Sequence, residues 1–314
     1  MRRLLSLAAV AAAATSLSLA FATPASADPA LPTDSAVPIP AGIKAMLDAA
    51  ITAGNDGEIS TIVKYARLAD PASADAVLAI AEKWRGDRAA ERNRTIREAR
   101  VFDLWTGRAE LGGYLTTGNS ATLGITAVID AKREGLQWRH KFHAQVDYTE
   151  NQNIVTRQHY LASYEPNYKF DDRLYVYGAA QYEGDRFLGY YDRFSASAGL
   201  GYSAIKSPAI RLDLELGPAF RHTYFTDETM QSAAAARGTL AFNWKLLPGL
   251  SVSQTGSAYV QRFNSTLGAT SALTARLLGP LAAQLSYNVQ YESMPPSGSL
   301  STDTTSRASL VYSF

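Results

Sequence analysis

Apolar and polar residues alternate with a period of two from Leu104 to the final residue, Phe314. At the end of the chain, Ala308, Leu310 and Tyr312 fall on the same face as the terminal aromatic residue, and the residues between them are mostly polar. A period of two places successive side chains on opposite faces of a β-strand. The alternation therefore predicts a sheet with one apolar face and one polar face.

Twelve antiparallel strands account for this region, and their even number places both ends of the sheet region on the same side. Short turns alternate along the chain with mostly longer connections, such as 184–192 and 222–231, which is typical of outer-membrane barrels. The predicted strands are 105–116, 121–130, 137–148, 156–165, 174–183, 193–203, 209–221, 234–246, 250–261, 269–278, 281–292 and 303–314.

The alternation fits two architectures. A water-soluble barrel or sandwich turns its apolar face inward, whereas a membrane barrel turns it toward lipid. The N-terminal export signal, the terminal aromatic residue and the aromatic residues near strand ends favour the second. We therefore predict an all-β transmembrane barrel of about twelve antiparallel strands in the outer membrane. Its expected partners are membrane lipid and the barrel-assembly machinery, with Tyr312 and Phe314 as the assembly signal.

Residues 1–27 have the form of a secretory signal peptide. Arg2 and Arg3 precede an apolar run over 4–22, and Ala25 to Ala27 form a small-residue cleavage site. A membrane anchor is the alternative reading of the apolar run. After it, no stretch is long and apolar enough for a spanning helix, so a mature membrane form must cross with strands.

Two further segments precede the barrel region, 101–314. Residues 28–40 predict a flexible leader, and the helical periodicity of 41–100 predicts a small α-helical periplasmic region, to which a periplasmic partner is able to bind. Six arginines lie between 85 and 100. They fit either a solvated connector or a segment lying against anionic lipid headgroups or the barrel's periplasmic rim.

Composition excludes several function classes. The chain has no cysteine, which excludes thiol chemistry. Removal of the two signal-peptide arginines changes the formal net charge from +1 to −1, which leaves no basic surface for nucleic acid. Neither Gly-x-Ser-x-Gly nor His-Glu-x-x-His occurs. His143 and His159 are able to approach each other on neighbouring strands, but two imidazoles are weak support for a metal site. We predict no catalytic, cofactor or metal site, with a lipase-type or protease-type barrel as the competing class.

The polar face carries charges that a narrow lumen must pair or hydrate. They indicate either an internal salt-bridge network that stiffens the barrel or a small polar conduit. The candidate lumen charges are Arg108, Glu110, Asp130, Arg139, Lys141, Asp147, Arg157, Glu183, Arg211, Asp213, Glu215, Arg237, Arg276 and Arg307.

A second group of charged and aromatic residues falls in one predicted outer loop. We predict that this loop packs over the barrel mouth through ion pairs and ring contacts, and contact with a ligand or glycolipid is the alternative. The group consists of Asp185, Arg186, Phe187, Tyr190, Tyr191, Asp192 and Arg193.

Two stretches of the barrel region resemble the YdiY-like family of salt-induced outer-membrane proteins, domain of unknown function 481. The resemblance covers about 101–314 and implies a barrel in the outer membrane, with no catalytic residues; residues 28–100 lie outside it. The expected role is structural or in envelope stress, with or without a narrow polar pore; a selective small-solute channel and an enzyme are alternatives. The matching residues are Trp105-Thr106-Gly107, Glu110-Leu111-Gly112, Gly118-Asn119-Ser120, Asp172-Arg173-Leu174-Tyr175, Tyr182-Glu183, Asp185-Arg186-Phe187 and Gly189-Tyr190.

Overall fold

A computed structural model describes residues 38–116, 122–262, 264–295 and 300–314. The predicted signal peptide, 1–27, and most of the leader lie outside them. The helices are α1 (Ala41–Ala53), α2 (Asp56–Ala69) and α3 (Ala74–Glu98). The strands are β1 (Trp105–Thr116), β2 (Thr122–Glu134), β3 (Trp138–Asn151), β4 (Ile154–Lys169), β5 (Leu174–Asp185), β6 (Tyr190–Lys206), β7 (Ile210–Phe225), β8 (Met230–Leu247), β9 (Leu250–Gln261), β10 (Thr266–Leu278), β11 (Leu281–Glu292) and β12 (Thr302–Ser313).

The helical unit has a small core of its own. Leu47, Ile59 and Val77, one from each helix, are fully buried against one another. The Asn55 side chain begins α2 by accepting hydrogen bonds from two backbone N–H groups, at 3.2 and 3.3 Å. Within the described ranges, no helix combines the length and apolar character needed to cross a membrane.

The twelve strands form a closed antiparallel barrel, which confirms the predicted strand number and fold. Each strand pairs with its neighbours in the sequence, and β1 pairs with β12 to close the sheet. Closure ends in two backbone hydrogen bonds between Gly107 and Phe314, at 2.9 and 3.0 Å. The terminal aromatic residue is therefore part of the seam between the first and last strands.

The apolar face of the sheet points outward. On β7, Leu216 and Phe220 are 68% and 53% exposed, whereas Glu215 and Arg221, on the opposite face of the same strand, are 8% and 2% exposed. This arrangement is the reverse of a water-soluble barrel, in which apolar side chains fill the interior. The orientation confirms the transmembrane barrel and rejects the soluble alternative.

Aromatic side chains cluster at both ends of the outer face. At the end that carries the barrel's termini, Trp138 packs edge-on against Tyr168, with ring centres 5.2 Å apart. At the other end, Tyr182 packs against Phe194 at 5.1 Å. Two aromatic girdles separated by an apolar band match the two membrane–water interfaces.

Several strands are longer than the sequence predicts. β5 ends at Asp185 and β6 begins at Tyr190, so the connection is 186–189 rather than 184–192. The connection between β7 and β8 is likewise 226–229 rather than 222–231. Register shifts at the ends of β5 and β6 interrupt the two-residue period without ending the pairing, because a bulge adds a residue to one strand only. The prediction of long connections was wrong at these two places.

Candidate functional site

The lumen holds the candidate charges. Each of them except Arg276 makes an ion pair or hydrogen bond with another inward polar side chain; examples are Arg108 with Asp130 at 2.8 Å and Glu110 with Gln284 at 2.7 Å. Arg276 lies near the end of β10 with an exposed side chain. The charged interior is therefore largely compensated within itself, as charges removed from water require.

Four of the charges form a closed cycle across the barrel, which we call the lumen ring: Lys141, Glu165, Glu215 and Arg237. Lys141 lies 2.7 Å from Glu165 and 3.1 Å from Glu215. Arg237 lies 3.0 Å from Glu165 and 3.3 Å from Glu215. β3 and β4 are not neighbours of β7 and β8 in the sheet, so two of these four contacts cross one side of the lumen.

Glu215 accepts the most hydrogen bonds in the lumen ring. Besides the two cations, the Tyr175 hydroxyl donates to it at 3.0 Å and the Thr239 hydroxyl at 2.8 Å. The Arg237 guanidinium also lies 5.0 Å from the centre of the Tyr177 ring. These contacts hold both partners in place, so the ring is a fixed constriction rather than a set of mobile charges.

A second series of alternating charges, the upper chain, lies nearer the end of the barrel opposite the termini. His159 links Asp147 at 3.3 Å to Glu183 at 3.4 Å, and Arg193 continues from Glu183 at 3.9 Å. Arg307, on β12, lies 2.7 Å from Asp147, and Glu292, on β11, lies 3.0 Å from Arg193. The upper chain is Arg307, Asp147, His159, Glu183, Arg193 and Glu292.

Two cavities lie on either side of the upper chain. The inner cavity, of about 360 Å³, is bordered by all four residues of the lumen ring. Its opposite wall, on β9 to β11, carries small uncharged polar side chains, including Thr255, Ser257, Thr270, Asn288 and Gln290. A vestibule of about 690 Å³ lies toward the other end, and Arg157 borders both cavities.

His143 and His159 contact carboxylates, whereas His140 and His222 bond to the hydroxyls of Tyr164 and Ser232. His143 Nδ1 lies 2.7 Å from Asp130, and Ser163 stands opposite His143 in the sheet register. Within the described ranges no hydrogen bond joins Ser163 to His143, although nucleophilic catalysis requires that contact. His159 binds different acids, and the described part of the chain contains no group of three or more metal-type ligands.

The predicted outer-loop cluster does not form a single loop. Strand β6 contains four of its residues, Tyr190, Tyr191, Asp192 and Arg193. A bulge at this end of β6 interrupts the regular alternation of their side chains between the two faces. Asp185, Tyr190 and Arg193 are buried in the barrel, whereas Arg186 lies over the exposed Tyr191 ring at 5.3 Å, and Tyr182 donates to Asp192 at 2.7 Å. Phe187 lines the vestibule.

Glu165 and Arg221 also lie in the lumen, although neither is among the candidate lumen charges. Glu165 is the last residue of the predicted strand 156–165, because proline is typical of turns and Pro166 follows it, but β4 continues to Lys169. The proline ring faces outward, and the β4–β5 pairing skips it, so its missing N–H breaks no ladder bond there. Glu165 is an even number of residues from His159 and Ser163, and the two-residue period therefore puts it on the same polar face.

The terminal residues Tyr312 and Phe314 both point outward, at 48% and 53% exposure. The Phe314 ring lies over Gly107, where a Cβ atom would stand 2.7 Å from the ring. An aromatic ring covering a glycine on the neighbouring strand shields its backbone and helps to fix the register.

Asp171 closes the turn before β5. Its Oδ1 accepts hydrogen bonds from the backbone N–H groups of Arg173 and Leu174, at 2.6 and 2.7 Å, and these bonds lower the pKa of the carboxyl. Asp171 therefore has a turn-forming role.

We expect Asp171→Ala to increase hydrogen exchange at the amides of Arg173 and Leu174, because their acceptor is removed. In the wild type, the lowered pKa means that the bonds stabilise the turn fully above the ordinary aspartate pKa of about 4 and lose this effect as pH falls through the folded value. Exchange measured by mass spectrometry against pH tests this. Equal protection in the variant would contradict it.

The fold and the lumen together define a transmembrane β-barrel with a charge-paired polar interior. Residues 109–314 match the family described as "Protein of unknown function, DUF481", and the chain belongs to this family. It is 26% identical over 203 residues to the uncharacterized protein YdiY of Escherichia coli (strain K12), a match that covers 64% of this chain and 80% of that protein.

Solved structures similar to this chain include two barrels. The NanC porin is 11% identical, with a TM-score of 0.42, and the match covers 66% of this chain and 98% of the porin. The translocator domain of autotransporter NalP from Neisseria meningitidis is also 11% identical, with a TM-score of 0.42, covering 73% and 96% of the two chains.

Proposed function

We propose that this protein lies in the outer membrane and that its lumen is a narrow passage for small polar solutes, without enzymatic activity. The observation that carries the proposal is the inner cavity beside the lumen ring, which is bordered by charged side chains on one wall and by hydroxyl and amide groups on the other. Polar interiors of this kind are typical of barrels that hold water.

The lumen ring sets how narrow the passage is. It fills the side of the lumen between β3–β4 and β7–β8, while threonine, serine and glycine on β9 and β10 leave the other side open. A volume of about 360 Å³ lies at the small end of the range for ligand pockets, about 300–1,000 Å³. Small solutes fit this space, whereas folded polymers do not.

Reconstitution in planar bilayers tests the passage. We expect the wild type to give small, discrete conductance steps, and Thr270→Trp to reduce the step size severalfold, because Thr270 lies on the open wall and the indole would occupy the cavity. Ser271→Trp is the matched control, since Ser271 is the next residue along β10 and points toward lipid. A flat wild-type trace, or equal effects of the two substitutions, would sink the proposal.

A structural or envelope-stress role is the second candidate, and the ion pairs that cross the lumen favour it. In that case wild-type protein gives no conductance, and cells lacking it lose tolerance to high salt.

We further propose a periplasmic location for 41–100, with a periplasmic partner, and recognition of the Phe314 strand by the assembly machinery. Co-purification with and without residues 41–100, and in-cell crosslinking at Tyr312, test these two contacts.

A further inference from the structure

Arg221 differs from the other buried arginines of the barrel. Arg139 and Arg193 have carboxylate partners, at 3.2 Å in Glu134 and 3.0 Å in Glu292. Arg221 is only 2% exposed, yet among the described residues no carboxylate lies within ion-pair distance of it. Burial of a cation without a counter-charge is costly, so this position calls for an explanation.

Neutral groups hold the Arg221 guanidinium in place. Nε donates to the Ser195 hydroxyl at 3.2 Å, and Nη1 donates to the Thr266 hydroxyl at 2.8 Å. The Tyr259 ring lies against the guanidinium, with its centre 4.2 Å from Cζ. Ala233 stands beside Arg221 in the sheet, and its small side chain lets the arginine reach from β7 across β8 to β9 and β10. The group is thus oriented but not neutralised.

The acids at this end of the lumen are engaged elsewhere. Glu292 accepts hydrogen bonds from Thr266 and from Arg193, and Glu183 accepts from Tyr190 and lies beside His159. A mobile anion is therefore the natural counter-charge for Arg221, because it gains a charge-assisted hydrogen bond without displacing an existing pair.

Arg221 also lines the inner cavity, together with the uncharged wall that carries Ser257, Thr270, Asn288 and Gln290. We propose that the inner cavity binds a small hydroxylated carboxylate, with its carboxylate on Arg221 and its hydroxyls hydrogen-bonded to that wall. This site deepens the proposed passage, on which it rests, by naming the class of solute. The planar guanidinium fork is suited to a carboxylate.

Calorimetry on the full chain in detergent micelles tests the site without requiring conduction. The probe is sodium gluconate, and sorbitol, which has the same chain length and no carboxylate, is the neutral control. We expect gluconate to bind the wild type and sorbitol to bind at least tenfold more weakly. Arg221→Gln should weaken gluconate binding at least tenfold, and Arg221→Lys should weaken it less, because the charge remains.

Arg211→Gln is the matched control variant, because Arg211 has its own partner in Asp213 at 2.7 Å and does not line the inner cavity. It should bind gluconate as the wild type does. Heat-dependent gel mobility establishes whether each variant is folded. If Arg221→Gln does not fold, Arg221→Lys is compared with the wild type instead. The proposal would be overturned if the wild type did not bind gluconate, or if the folded Arg221 variants bound it as tightly as the wild type does.

The outcomes separate this site from the passage itself. Conductance without gluconate binding would remove the site and leave the passage intact. Gluconate binding that depends on Arg221, without conductance, would support the site and remove the passage. Equal binding of gluconate and sorbitol would show that the cavity does not select a carboxylate and would reject the inference.

Discussion

Glu215→Gln is expected to lower the free energy of unfolding of the barrel by about 3–5 kcal/mol, the usual cost of removing one partner from a buried ion-pair network. The substitution preserves the shape of the side chain but leaves Lys141 and Arg237 sharing a single carboxylate, that of Glu165. It also removes the charged acceptor of the Tyr175 and Thr239 hydroxyls. Urea unfolding in lipid vesicles, followed by tryptophan fluorescence, measures the change.

Two further variants make this result specific. Asp172→Asn removes a carboxylate that is almost fully exposed, and it should change the free energy of unfolding by less than about 1 kcal/mol. The double substitution Glu215→Gln with Arg237→Gln restores charge balance in the lumen ring, so it should recover part of the loss. If Glu215→Gln is no more harmful than Asp172→Asn, the ring does not stabilise the barrel.

Gly107→Ala should prevent most chains from closing into a barrel. An added Cβ would overlap the backbone carbonyl of Asp130, which cannot move without breaking the β1–β2 pairing, and would press on the Phe314 ring at 2.7 Å. Overpacking costs about 1–3 kcal/mol, and here it acts where the first and last strands meet. We expect a severalfold fall in the fraction with the compact, heat-modifiable mobility of a folded barrel on gels.

Gly238→Ala is the control for this closure experiment. Gly238 also lies on a strand of the barrel, but its added Cβ would meet only ordinary contacts, at 3.8 Å from Leu216 and 3.9 Å from the Glu215 carbonyl. It should therefore fold with nearly wild-type yield. Similar losses for Gly107→Ala and Gly238→Ala would mean that close packing at the seam is not what limits closure.

The strand number and the assignment of residues to the two faces were accessible from the sequence because both depend on a local property. The two-residue period of Leu214, Leu216 and Phe220 persists whatever the strand pairs with, so each segment reports its own faces. The confirmed barrel rests on twelve such segments. The period does not report which face points outward, and the exposure of Leu216 and Phe220 in the structure shows that the apolar face does.

The contacts within the lumen could not be obtained in this way. Lys141 and Glu215 are 74 residues apart and meet only because the sheet closes. Glu165 lies on the polar face at the end of the predicted strand, but its contacts with Lys141 on β3 and Arg237 on β8 depend on the closed sheet. Arg221 shares the two-residue period of Asp213 and Glu215, so the sequence places it on the polar face. That no carboxylate among the described residues lies within ion-pair distance of it depends on contacts between distant strands, which the period does not report.

The positions of the cross-lumen contacts have a mechanical consequence. The lumen ring ties β3 to β7 and β4 to β8, strands that are four apart in a sheet of twelve, so it acts as a brace along a chord on one side of the barrel. Lateral pressure from the surrounding lipid would flatten an unbraced cylinder, and the brace resists flattening along that chord. In the part of the chain that the structure describes, no ion pair joins the hydroxyl-lined wall of β9 and β10 to the lumen ring, so deformation of the bilayer should concentrate there and change the width of the open side.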